Sequence, residues 1–104
     1  MKIEIAHIDA CPSWREAGQV VTEALDELGI EDVLVGYARI STAEQAAAIP
    51  FAGSPTILVD GADLFPDASR TTDLACRVYQ VDGRLAPYPS LAQVRERLAE
   101  RLAG

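Results

Sequence analysis

The spacing of apolar positions changes along the chain, and each change marks an element. Ile3, Ile5, Ala6 and Ile8 place apolar groups on both faces of a short run, which predicts a strand in the middle of a covered sheet. Ala17, Val20, Val21, Ala24, Leu25 and Leu28 then recur at helical spacing until Gly29 stops the helix. Pro12 suits its first position, and Ser13 with Glu16 has capping-box spacing. Residues 33–40 read as a second strand, so the strand, helix and strand predict a parallel pair joined by a right-handed crossover. Ser41 and Thr42 open a short second helix with Ala46, Ala47 and Ile49 on its apolar face, ended by Pro50.

Pro55 opens a third strand, Thr56-Ile57-Leu58-Val59, and Asp60-Gly61 closes it with a turn. An irregular acidic loop, residues 62–73, leads to a fourth strand over residues 77–81, expected to pair antiparallel with the third. Ser90 and Gln93 cap a final helix with Leu91, Val94, Leu98 and Leu102 along one side and a charged, solvated surface elsewhere. The predicted order is βαβαββα in one domain over residues 1–104. It describes an α/β sandwich of three layers, with helices on both faces of a mixed four-stranded sheet.

At 49% hydrophobic and 24% charged residues the composition is that of a globular protein, and 104 residues suffice for one core. The net charge of −7 comes with scattered Lys and Arg, which argues against nucleic-acid and anionic-membrane partners. No run of about 18 apolar residues is present. Met1-Lys2-Ile3-Glu4 lacks the apolar core of an export signal, so a cytoplasmic setting is expected. There the two cysteines, Cys11 and Cys76, are expected to be reduced, catalytic or metal-binding rather than structural, a single bridge being the alternative.

Cys11 carries the strongest chemical signal. It lies between the first strand and the first helix, where the helix N-terminus favours a thiolate over the free value of about 8.5. Pro12, Ser13 and Trp14 flank it. A lone thiol so placed can form mixed disulfides, be oxidised to a sulfenic acid or take a soft metal ion.

The element order, the cysteine at the first strand-to-helix junction, and Gly53-Ser54-Pro55-Thr56-Ile57-Leu58-Val59 together resemble the thioredoxin-like superfamily. The resemblance implies a cis Ser54-Pro55 bond beside Cys11. The usual C-x-x-C is here Cys11-Pro12-Ser13-Trp14, so a standard dithiol cycle within this motif is excluded. Cys76-Arg77-Val78-Tyr79 extends the likeness to small bacterial thioredoxin-like proteins with a C-P-x-W junction, some called alkylmercury-lyase-like. The implied role is monothiol redox exchange through Cys11 with protein or low-molecular-weight thiols and disulfides, an oxidoreductase function without a cofactor. Two alternatives stand beside it: a non-catalytic binding protein on the same fold, and thiolate handling of mercury or another soft metal ion.

Cys76 is expected to be a small buried residue of the fourth strand. The third strand starts at the site and runs away from it for about 13 Å, beyond the roughly 7 Å that a disulfide tolerates between Cα atoms. If the loop over residues 62–73 folds back, Cys76 becomes an internal resolver.

His7 and Asp9 share a sheet face with Ile3 and Ile5. The expectation is a histidine satisfied by a backbone partner, with Asp9 near enough to the strand end to influence Cys11. Trp14 is read either as part of an apolar rim with Pro12 and Pro55, or as a helix-to-sheet anchor. Asp60, Asp63, Asp67 and Asp73 lack calcium-loop spacing and read as a solvated loop, so no resident metal is assigned.

Overall fold

A computed structural model describes residues 1–103. The elements are β1 (Ile3–His7), α1 (Trp14–Glu27), β2 (Val35–Arg39), α2 (Ala43–Ala47), β3 (Thr56–Val59), β4 (Ala62–Asp63), β5 (Tyr79–Val81), β6 (Arg84–Ala86) and α3 (Leu91–Ala103). A four-stranded mixed sheet has the order β2-β1-β3-β4, and β5 with β6 forms a separate hairpin. β1 pairs parallel with β2 and antiparallel with β3, so it lies inside the sheet, as expected for a strand covered on both faces. No helix among the described residues is long and apolar enough to cross a membrane.

Two cores follow from the alternation along β1. Ile3 and Ile5 face α1 and α3, packing with Ala17, Val21, Leu25, Val94 and Leu98. Ala6 faces the other way, with Ile8, Cys11, Ala46 of α2, Phe51 and Leu58. Helices therefore cover both sheet faces.

The ends of α1 are set differently. Gly29, at φ 70°, is the left-handed residue after the C-cap, and Ile30 N–H reaches back to Leu25 O at 2.9 Å, a Schellman closure. At the N-terminus the expected capping box does not form. Ser13 is in the helical region with no side-chain cap bond, and the helix starts at Trp14, not Pro12. By contrast the Ser90–Gln93 box before α3 is complete, with Gln93 N–H donating to Ser90 Oγ at 3.2 Å and Ser90 N–H to Gln93 Oε1 at 3.0 Å.

The fourth strand is the main correction. β3 turns at Asp60-Gly61 and pairs at once with β4, Val59 opposite Ala62. Residues 79–81, expected to hold that place, pair with β6 across Asp82-Gly83 instead. Both dipeptides have positive φ at both residues, the requirement of a type I′ hairpin, which Asp-Gly meets at low cost. The loop after β3 is also not solvated throughout, because Leu64 and Phe65 are buried in the α1/α3 core. The charged side of α3 takes part in holding it: Arg97 Nη1 donates to Leu64 O at 3.2 Å and Arg101 Nη2 to Asp63 O at 3.2 Å.

Candidate functional site

β1 ends at a turn in which Cys11 N–H donates to Ile8 O at 3.4 Å, and Arg15 N–H donates to Pro12 O at 3.4 Å as the chain winds into α1. Cys11 is thereby delivered to the helix start, in the smaller core, with 4% of its surface exposed.

Cys11 is disulfide-bonded to Cys76, 65 residues away, with the Cα atoms 5.7 Å apart. The expectation that Cys76 is remote and buried is overturned: it is exposed and joined to Cys11. Residues 77–81 do not return along β3, whose free edge is taken by β4. The chain instead folds back across the start of β3, and Cys76 forms an isolated parallel bridge with Ser54. With both cysteines paired, the lone-thiol description of Cys11 is replaced by a two-cysteine site.

Ser54 assembles this site with three hydrogen bonds. Its N–H donates to Ala75 O at 2.9 Å, its C=O accepts from Arg77 N–H at 2.8 Å, and its Oγ accepts from Ile8 N–H at 3.0 Å. One residue thus aligns the returning segment and the end of β1, which leads to Cys11. Ser54-Pro55 is cis. Gly53 allows the close approach: its φ is +104°, and a Cβ there would lie 2.8 Å from Arg77 Cβ, so any side chain would push the segment away.

The residues next to Cys76 anchor it from the opposite face. Arg77 Nη1 pairs with Asp63 Oδ2 at 2.9 Å, its Nη2 donates to Phe65 O at 2.6 Å, and its guanidinium lies 4.5 Å from the Tyr79 ring centroid. Tyr79 OH donates to Pro55 O at 2.6 Å. Burial pushes the Asp63 carboxyl up, with Arg77 opposing that shift, and burial also pushes the Tyr79 hydroxyl up. Asp63 is therefore a buried ion-pair partner, not the solvated residue expected. Gly53, Asp63, Arg77 and Tyr79 were not singled out as site residues by sequence reasoning. The available signal was the alternation in Cys76-Arg77-Val78-Tyr79, which sets a charged side chain on the same face as Tyr79. A cleft of about 460 Å³ on that side is lined by Phe65, Arg77, Tyr79, Gln93 and Arg97.

The apolar rim does not form. Pro55 is fully buried, Pro12 is exposed, and Trp14 turns to the sheet, stacking on His7 with centroids 4.3 Å apart and meeting Tyr37 edge-on at 5.3 Å. Trp14 is the anchor of the two readings. Asp9 pairs with Arg39 at 3.3 Å. His7 is 6% exposed; its Nδ1 makes no hydrogen bond among the described residues, while the backbone of Ile8 lies close enough to raise its pKa.

Burial lowers the His7 pKa below 6.5, with Asp9 raising it and Arg39 lowering it. A base depressed in the folded state contributes stability that is present above its unfolded value and lost as pH falls through its folded value. The denaturation midpoint of the oxidised protein is therefore expected to fall as pH drops below 6.5, and His7→Phe to flatten that part of the profile. Superimposable pH profiles for the two proteins would refute the assignment. No protein-family model, curated protein or solved structure matches the chain.

Proposed function

We infer that this is a thioredoxin-like domain in which Cys11 and Cys76 form a reversible dithiol/disulfide couple, an oxidoreductase site that exchanges with protein or low-molecular-weight thiols. The reading rests on one observation: two cysteines 65 residues apart meet with Cα atoms 5.7 Å apart where a strand enters a helix. Cys76 takes the place that Trp14 denies to a resolving cysteine within the first motif. In the oxidised-to-reduced direction a partner dithiol gives up two electrons and becomes a disulfide. Both domain sulfurs become thiols, taking the two protons. The start of α1, whose first N–H groups lack intrahelical acceptors, favours the Cys11 thiolate that exchange requires. A cytoplasmic setting suits this cycle, because thiol pools there can reduce the pair.

Equilibration in glutathione and dithiothreitol buffers, read by mass after alkylation, tests the reading. The expected result is a single reversible two-electron transition of the folded protein between about −180 and −270 mV. A potential below about −300 mV, or reduction only after unfolding, would identify the bridge as a structural staple and remove the redox function.

The same spacing favours a second reading for the reduced state: two neighbouring thiolates suit one soft cation, mercuric or cuprous, in two-coordinate geometry. No group of three or more His, Cys, Asp or Glu residues among those described is placed to hold a metal. Retained tight binding of mercuric ion after Cys76→Ala would sink this reading.

A further inference from the structure

The bridge is unequal in exposure: Cys11 is 4% exposed and lies in a core, whereas Cys76 is on an exposed segment. Around Cys76 the segment runs beside Ser54 in an isolated parallel bridge, while Leu74 sits in a turn closed by Ala75 N–H donating to Asp73 O at 3.0 Å. Arg77 and Tyr79 point inward, while Leu74 and Val78 are 40% and 59% exposed and flank Cys76 two residues away on either side. Val78 alternates with the inward Arg77 and Tyr79 and so stands on the same side as Cys76, and Leu74 is exposed nearby. Ala75 O and Arg77 N–H bond to Ser54, and in a parallel bridge of this kind the N–H and C=O of Cys76 itself point away from Ser54. The segment therefore offers an open backbone edge, two apolar side chains and one electrophilic sulfur within the span of a short peptide.

We propose that thiol exchange enters at Cys76, that Cys11 is the leaving and resolving thiol, and that the entering thiol belongs to a cysteine in an extended, apolar-flanked polypeptide segment. This rests on the redox reading above and assigns its substrate class and its order of steps. The partner thiolate attacks Cys76 Sγ, a partner–Cys76 disulfide forms, the Cys11–Cys76 bond breaks, and Cys11 leaves as a thiolate. A second partner thiolate then attacks the partner's own sulfur, releasing Cys76 as a thiolate, and the partner departs as a disulfide. Both domain thiolates take up protons. In reverse, the Cys76 thiolate attacks a partner disulfide and Cys11 resolves the adduct. Burial hides Cys11 from a partner but not from Cys76, which is what a resolving thiol needs. The main-chain edge supplies strand-addition contacts and Leu74 and Val78 supply side-chain selection. Glutathione, small and anionic, gains little from either on a chain of net charge −7.

The test uses the oxidised full chain and a synthetic peptide with one cysteine between two leucines, glutathione being the comparison. Acid quenching during reduction and mapping by mass is expected to find the peptide adduct on Cys76 about tenfold more often than on Cys11. In Leu74→Ser/Val78→Ser the peptide rate is expected to fall several-fold, with the glutathione rate unchanged. Adducts chiefly on Cys11 would overturn the order of steps. Equal effects of the double variant on both thiols, or no effect on either, would overturn the polypeptide assignment. If the native bridge resists every thiol, the redox function itself fails, an outcome distinct from a misplaced adduct.

Discussion

Removing the bridge with Cys11→Ala/Cys76→Ala is expected to lower stability by about 4 kcal/mol, the chain-entropy value for releasing a loop closed over a sequence separation of 65. For a domain of 104 residues this corresponds to a fall in Tm of about 15–20 °C. The change acts mainly on the unfolded chain, which becomes free to expand, so the denaturant slope should rise as the midpoint falls. The folded state keeps its other ties on the returning segment: the Ser54 bonds to Ala75 and Arg77, the Arg77–Asp63 pair and the Tyr79–Pro55 bond. Urea unfolding of the oxidised wild type, the reduced wild type and the double variant checks this. The two forms without a bridge should agree with each other. A loss of less than about 1 kcal/mol in both would show that the bridge does not restrain the unfolded chain as a long loop closure should.

Arg77→Met is expected to cost about 3–5 kcal/mol at neutral pH, because it leaves the Asp63 carboxylate buried without its cation. It also removes the bond to Phe65 O and the stacking on Tyr79. Asp63→Leu/Arg77→Met should recover much of the loss, since an apolar pair of similar volume avoids the desolvation that isolates a single charge. The pH dependence has a definite sign. Burial raises the Asp63 carboxyl above 3.8 even with Arg77 present, and without Arg77 it should rise further. A carboxyl raised in the folded state contributes stability that is present below its unfolded value and lost as pH rises through its folded value. The deficit of Arg77→Met should therefore shrink as pH is lowered toward 3.8. A deficit independent of pH would assign the cost to lost packing alone. Because Arg77 follows Cys76 directly, the variant should also loosen the bridge segment and raise its rate of reduction.

Much of the chain was legible locally. β1, α1 and α3 followed from apolar spacing, and β3 from its apolar run behind Pro55. Gly29 stopped α1 as expected, and the Ser90–Gln93 cap formed as its spacing implied. Capping-box spacing at Ser13 and Glu16 failed because residues 12–13 are already in a turn, with Ser13 in the helical region and no side-chain bond to the helix. Cys11 was legible as a site because a helix start after a strand is a local feature. Its pairing was not, because a distance across 65 residues depends on the path between them.

Local pattern sufficed for β1, α1, β2, β3, α3 and the two Asp-Gly turns, since each rests on contacts a few residues apart, but not for β4 and β6, whose short segments carry no strand pattern of their own. Tertiary structure decided which extended segments pair. Asp60-Gly61 makes a tight hairpin that fills the edge of β3 with Ala62 and Asp63, and Asp82-Gly83 does the same for Tyr79–Val81 with Arg84–Ala86. With those edges taken, the residues around Cys76 cross the start of β3, where Ser54 holds them by backbone bonds and Gly53 leaves room for Arg77. A period of two specifies a strand but not its neighbour, and the neighbour is what brings Cys76 to Cys11.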